Sequence, residues 1–216
     1  MLHYLGDPYE LLGVIVASVL CLGGHNLAQV WAARLLGDRE PARQGFAQLT
    51  SKRHVEPLGV VAFALCHFGW GFAAPVPITV RFRRQRSRAA ICLLAGPACL
   101  FLLTLLFTWW ATHARSEHWA EFTVYAAMSS AGWFITSCLP IPPATGGRLV
   151  FLYAPATPGW QRARYWLTEG QTGALIVLAV LLLPILFNGL PNVVDELARP
   201  LLRNLASAVG PDVSIG

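Results

Sequence analysis

The sequence predicts an all-α polytopic membrane protein, one bundle of about four to five transmembrane helices with a re-entrant segment. Three observations predict it. Hydrophobic residues make up 55% of the 216 positions and charged residues only 12%, a balance unlike that of a soluble domain. Apolar runs at 11–36, 89–112, 122–143 and 172–191 approach the roughly 20 residues that cross a bilayer core. Apart from Arg34, at the very end of the first, the arginines stand beside these runs rather than inside them.

The run 11–36 follows Asp7 and Glu10, with no Lys or Arg before it. It therefore lacks the positive n-region of a cleaved signal peptide and is expected to stay in the membrane. Ala17, Ser18, Gly23, Gly24 and Ala28 suit the close helix packing that operates in lipid. The polar stretch 42–55 has Phe46, Leu49 and Val55 too loosely spaced to predict helix or strand. The run 58–80 is apolar but interrupted by Gly59, Gly69, Gly71, Pro75 and Pro77, which suits irregular backbone shielded by protein. Within 89–112, Gly96 and Pro97 interrupt a helix in a way that neighbours must re-satisfy. Thr157, Pro158 and Gly159 mark a turn. The tail 192–209 places Val193, Val194, Leu197, Leu201, Leu202 and Leu205 at helical spacing, as in an amphipathic helix lying in the interface plane.

Charge sets the expected orientation. Arg34 ends the first run and Arg39, Arg43, Lys52 and Arg53 follow it, Arg81, Arg83, Arg84, Arg86 and Arg88 precede the next long one, and Arg148, Arg162 and Arg164 follow 122–143. By the positive-inside rule, 37–54, 81–88 and 146–168 are cytoplasmic, and both termini are outside. The segment 58–80 then enters and leaves on one face. The net charge of +5 is distributed as a topology signal, so no nucleic-acid partner is expected. The expected partner is the lipid bilayer, that of a bacterial plasma membrane. Cys21, Cys66, Cys92, Cys99 and Cys138 all lie in apolar stretches without a C-x-x-C pair, which suits packing rather than a disulfide or cysteine-zinc framework.

Polar side chains inside a span are costly and point to function. His25, Asn26 and Gln29 sit mid-run, and His25 and Gln29, four apart, share a helical face. H-E-x-x-H uses that spacing to bring two histidines to one metal. The stretch from Pro140 to Arg148, with Thr145, Gly146 and Gly147, follows a later apolar run.

Taken in order, Gly24-His25, Leu36-Gly37-Asp38, Glu56-Pro57-Leu58-Gly59, the stretch from Phe68 to Pro77, Leu94-Ala95-Gly96-Pro97 and the stretch from Leu139 to Arg148 resemble the motifs of the site-2 protease family of intramembrane zinc metalloproteases. The match covers about residues 20–150, and its likeness is to short, bacterial-type members. It implies a site-2-protease-like helical fold, a single membrane domain, and a zinc ion held by two His and one Asp with a Glu as general base. His25 stands at the first ligand position. Asn26 stands in place of the base, Gln29 of the second His, Thr145 of the Asp, and Ser137 of an Asn that orients substrate. An amide accepts no proton at neutral pH, and losing a general base costs about 10²–10⁴-fold in rate. Neutral amide and hydroxyl groups are also poor partners for zinc.

The expected function is therefore a catalytically inactive pseudoprotease that binds a transmembrane helix of a partner or client and needs no metal. Its expected groove comprises Phe68, Gly69, Trp70, Gly71, Pro75, Pro77, Pro140, Pro142, Gly146 and Gly147. The alternative is a divergent zinc metalloprotease with substitute ligands, for which His54, Cys66 and His67 are candidates. A structural or transport subunit is the third reading.

Overall fold

Asp7 starts the first helix. In a computed structural model, which describes residues 7–48, 57–66, 85–168, 172–187 and 192–210, its carboxylate accepts from the Tyr9 and Glu10 amides at 2.8 and 3.3 Å. Pro8, whose missing N–H is no loss in a first turn, opens α1, Pro8–Leu35. A short π-helical turn, Ala42–Phe46, follows in the polar stretch that carries no clear periodicity. The helices after it are α2 (Pro57–Cys66), α3 (Arg86–Thr112), α4 (Glu117–Cys138), α5 (Thr145–Tyr153), α6 (Pro158–Thr168), α7 (Thr172–Leu186) and α8 (Val193–Val209). Ser116 caps α4 through the Trp119 amide, and Asn192 caps α8 through the Val194 amide. Among the described residues every regular element is helical, as the composition predicts.

The centre of the bundle is α1, α3 and α4 packed on one another. On α1 the face turned to protein carries Ala17, Ser18, Cys21, His25, Asn26 and Gln29. The opposite face presents Leu12, Val19, Leu20 and Leu35 outward. Small and polar groups inside with large apolar groups outside is an arrangement that suits lipid as the surrounding solvent. Ser18 Oγ accepts from Trp133 Nε1 at 3.1 Å and lies 3.1 Å from Ser129 Oγ, tying α1 to α4 by side-chain hydrogen bonds.

Among the described residues two helices, α1 and α3, are long and apolar enough to cross a membrane, or three if α6 and α7 form one bent span. The expected span at 122–143 corresponds to α4, which ends at Cys138 and carries buried Thr123, Ser129, Ser130, Thr136 and Ser137. Its polar content is shielded by the helices around it. The expected span at 172–191 corresponds to α7, whose 15 residues end at Leu186. Of the expected re-entrant stretch 58–80, only the part in α2 lies within the described residues. The expected cytoplasmic loop 146–168 is largely helical, as α5 and α6.

The tail differs from the expected interface-plane helix. Val194, Ala198, Leu202 and Ala206, spaced four apart, are buried, and α8 packs on α3 and α4. Leu197 and Leu201 lie beside Leu139 and Pro140 at the end of α4, whereas Gly210 lies against Thr112 at the end of α3. Helix α8 therefore runs along the bundle, and its apolar stripe covers protein.

One end of the bundle is cationic. Ala33 of α1, Ala89, Cys92 and Leu93 of α3, and Leu149 and Leu152 of α5 pack together there, beneath Arg34, Arg86 and Arg88. At the other end Tyr9 stacks on His118 with ring centroids 4.3 Å apart, and Gly210 closes against Thr112.

Candidate functional site

The turn between α4 and α5 places Thr145. It folds tightly because α5 opens with two glycines. A Cβ on Gly146 would strike the carbonyl oxygens of Cys138 and Leu139, and one on Gly147 would strike the Ile141–Pro142 peptide. With neither methyl present, the first turn of α5 packs back on 138–142, and Thr145 is buried at 3% exposure.

There Thr145 meets α1. Its Oγ1 lies 3.0 Å from His25 Nε2 and 3.4 Å from Gln29 Nε2, and Gln29 Nε2 lies 3.4 Å from His25 Nε2. His25 Nδ1 lies 3.3 Å from Asn26 Oδ1. His25, Asn26, Gln29 and Thr145 are all buried. The structure thus brings together the positions at which the resemblance puts the ligands and the base.

Helix α3 supplies the third wall. A Cβ on Gly96 would lie 2.5 Å from His25 Nε2 and 2.7 Å from Gln29 Nε2, so this glycine makes room for both side chains. Pro97 has no N–H to give the Leu93 carbonyl, its partner four residues earlier in a regular helix. Gln29 Nε2 donates to that carbonyl at 3.1 Å. The sequence predicts that a neighbour re-satisfies the backbone here, and the structure identifies that neighbour as Gln29. The signal was available, because a proline inside a helix names the carbonyl it frees.

Ser137 is buried, and its hydroxyl donates to the Phe134 carbonyl one turn back at 2.7 Å. Cys66 is buried in the apolar core that includes Ala174, Val177 and Leu181. His54 and His67, and the groove candidates Phe68, Gly69, Trp70, Gly71, Pro75 and Pro77, lie outside the described residues. Of the remaining groove candidates, Pro140 borders an open apolar cleft of about 420 Å³ with Phe134, Ile135, Cys138, Leu139, Leu197 and Leu201. Pro142, Gly146 and Gly147 form the turn behind it.

The chain is 28% identical over 185 residues to a Bacillus subtilis protein named "Putative zinc metalloprotease YwhC", a match spanning 81% of this chain and 80% of that protein. The site-2 protease resemblance is borne out. No family model matches the chain, and no solved structure matches it.

In a site-2-protease-like frame the donor set can be tested against zinc. The metal takes thiolate, imidazole or carboxylate ligands at 2.0–2.3 Å, commonly with some negative charge among them. The converging groups here are one imidazole, one amide and one hydroxyl. Among the described residues no three His, Cys, Asp or Glu side chains come together. The three converging residues do not fit the metal, and Asn26 offers no base to activate a water.

Proposed function

We propose that this chain is a site-2-protease-like membrane protein without peptidase activity, which receives a transmembrane segment of a partner protein. The reading rests on one observation. His25, Gln29 and Thr145 converge within 3.4 Å of one another, yet together with Asn26 they provide no carboxylate, and an amide stands where the general base belongs. The site's architecture has been kept and its chemistry replaced.

The proposal includes four to five membrane-crossing helices, with α4 shielded by its neighbours and therefore free to carry hydroxyl side chains. It also includes a metal-free resting state. Apolar walls of the cleft at Phe134, Leu139, Leu197 and Leu201 suit hydrocarbon side chains of a second helix. The cleft borders the turn that carries Thr145, where a segment bound by a site of this architecture would arrive.

The name of the relative favours a second reading, a divergent metalloprotease with substitute ligands. Metal analysis and a cleavage assay separate the two. We expect purified protein to carry no stoichiometric zinc and to leave membrane substrates intact. Cleavage abolished by a chelator, and by His25→Ala, would establish the second reading. A photo-crosslinker at Leu197 is expected to capture a membrane-spanning partner, and recovery of lipid alone would count against client binding.

A further inference from the structure

The buried cluster has a direction. Gln29 Nε2 carries two hydrogens, and one goes to the Leu93 carbonyl at 3.1 Å. The other lies between Thr145 Oγ1 and His25 Nε2, each 3.4 Å away. With Gln29 donating, the Thr145 hydroxyl is free to donate to His25 Nε2 at 3.0 Å. That bond assigns the hydrogen of the imidazole to Nδ1, which donates to Asn26 Oδ1 at 3.3 Å. Each donor then meets an acceptor in a single direction, from Gln29 through Thr145 and His25 to Asn26.

Proline sets that direction. Turning the Gln29 amide over would set its oxygen against the Leu93 carbonyl, acceptor against acceptor. Because Pro97 leaves that carbonyl unclaimed by its own helix, the amide keeps its N–H end toward the slot. Spacing alone would admit a metal. Atoms at 2.0–2.1 Å from a tetrahedral zinc stand about 3.3 Å apart, and these three stand 3.0–3.4 Å apart. A cation entering the slot would instead meet hydrogens of Gln29 and Thr145, with the His25 lone pair already engaged.

We infer that this directed chain of hydrogen bonds is a metal-free clasp, which fastens the first turn of α5 and the turn before it to α1 and α3 through the carbonyl freed by Pro97. The inference rests on the metal-free reading above and deepens it. The donor types and the direction of their hydrogens, and not the shape of the slot, exclude the ion.

The test uses the full chain in lipid nanodiscs with three readouts: melting temperature with and without chelator, zinc per chain, and the alkylation rate of Cys138. The last reports on the turn, because Cys138 is exposed and its carbonyl abuts Gly146. The wild-type protein should melt at the same temperature with or without chelator. Thr145→Val keeps the shape and removes the hydroxyl, and should lower the melting temperature by about 2–4 °C and speed Cys138 alkylation. The double variant Q29H/T145D supplies two imidazoles and a carboxylate, with a ring N–H available for the Leu93 carbonyl. It should bind about one zinc per chain and become chelator-sensitive. A Thr145→Val variant that melts and alkylates like wild type overturns the clasp and leaves the metal-free reading standing. A folded Q29H/T145D variant without zinc overturns the claim that the shape of the slot would admit the metal. Stoichiometric zinc in the wild-type protein overturns both the clasp and the metal-free reading.

Discussion

Gly96 shows how finely the buried cluster is fitted at the scale of single residues. A Cβ at this position would lie 2.5 Å from His25 Nε2, 2.6 Å from His25 Cδ2 and 2.7 Å from Gln29 Nε2. Neither side chain has an easy retreat, since both are buried and hydrogen-bonded. Gly96→Ala is therefore expected to destabilise the protein by about 1–3 kcal/mol, the range for an overpacked core. Gly159→Ala is the matched control, because nothing lies within 4 Å of a Cβ there. It should be neutral or stabilising by up to about 1 kcal/mol. Thermal unfolding of both variants in the same detergent checks the pair. Equal melting temperatures would mean that the cluster yields at little cost.

At the scale of elements, α8 gives the sharpest contrast between its two faces. Leu202 is 4% exposed within the α4 and α3 contact, and Leu197 is 52% exposed at the edge of the cleft. Leu202→Ala should cost about 2–5 kcal/mol as a buried truncation. Leu197→Ala should stay within about 0.5 kcal/mol, as surface changes do, while weakening crosslinking to a partner. Loss of stability in both variants, or in neither, would contradict the placement of α8. What the sequence made legible at this scale follows from what drives each helix. The runs of α1 and α3 are read directly because lipid demands apolar length. The His25–Gln29 spacing and the motif around Thr145 foretell a meeting of those residues, since the motif resemblance links distant parts of the chain. Helix α4 falls short of α1 and α3 as an apolar run, because it carries hydroxyl side chains that the helices packed around it bury. The arginines of 146–168 state on which side the segment lies and not whether it is helical, so α5 and α6 are not legible from charge. The course of α8 was missed for a different reason. An amphipathic pattern states that one face is apolar, and says nothing of whether lipid or protein covers it.

For the whole molecule the decisive property is polarity along the bundle axis. Asp7, Glu10, Glu117 and Glu121 gather at the end where Tyr9 stacks on His118, with Trp109 and Trp119 exposed nearby in the chain. Arg34, Arg86 and Arg88 mark the opposite end, where Arg34 lies 5.2 Å over the Trp31 ring. Along α1, Tyr9 and Trp31 stand about 33 Å apart at 1.5 Å per residue, close to the roughly 30 Å of a hydrocarbon core. Aromatic rings favour the two membrane interfaces, and arginines favour the cytoplasmic one. Because Gly210 reaches Thr112, the end of α8 shares the acidic side with the start of α1. The exposed positions Arg39 and Arg164 should then be cytoplasmic, and the exposed positions Ser116 and Ser207 external. Single cysteines at these four sites, in a chain whose five native cysteines are replaced, test the arrangement with a membrane-impermeant maleimide. We expect intact cells to label Ser116→Cys and Ser207→Cys, and only inverted vesicles to label Arg39→Cys and Arg164→Cys. Labelling of Ser207→Cys and Ser116→Cys from opposite sides would remove α8 from its course along α4. Full inversion of all four would leave the bundle intact and overturn the orientation drawn from its arginines.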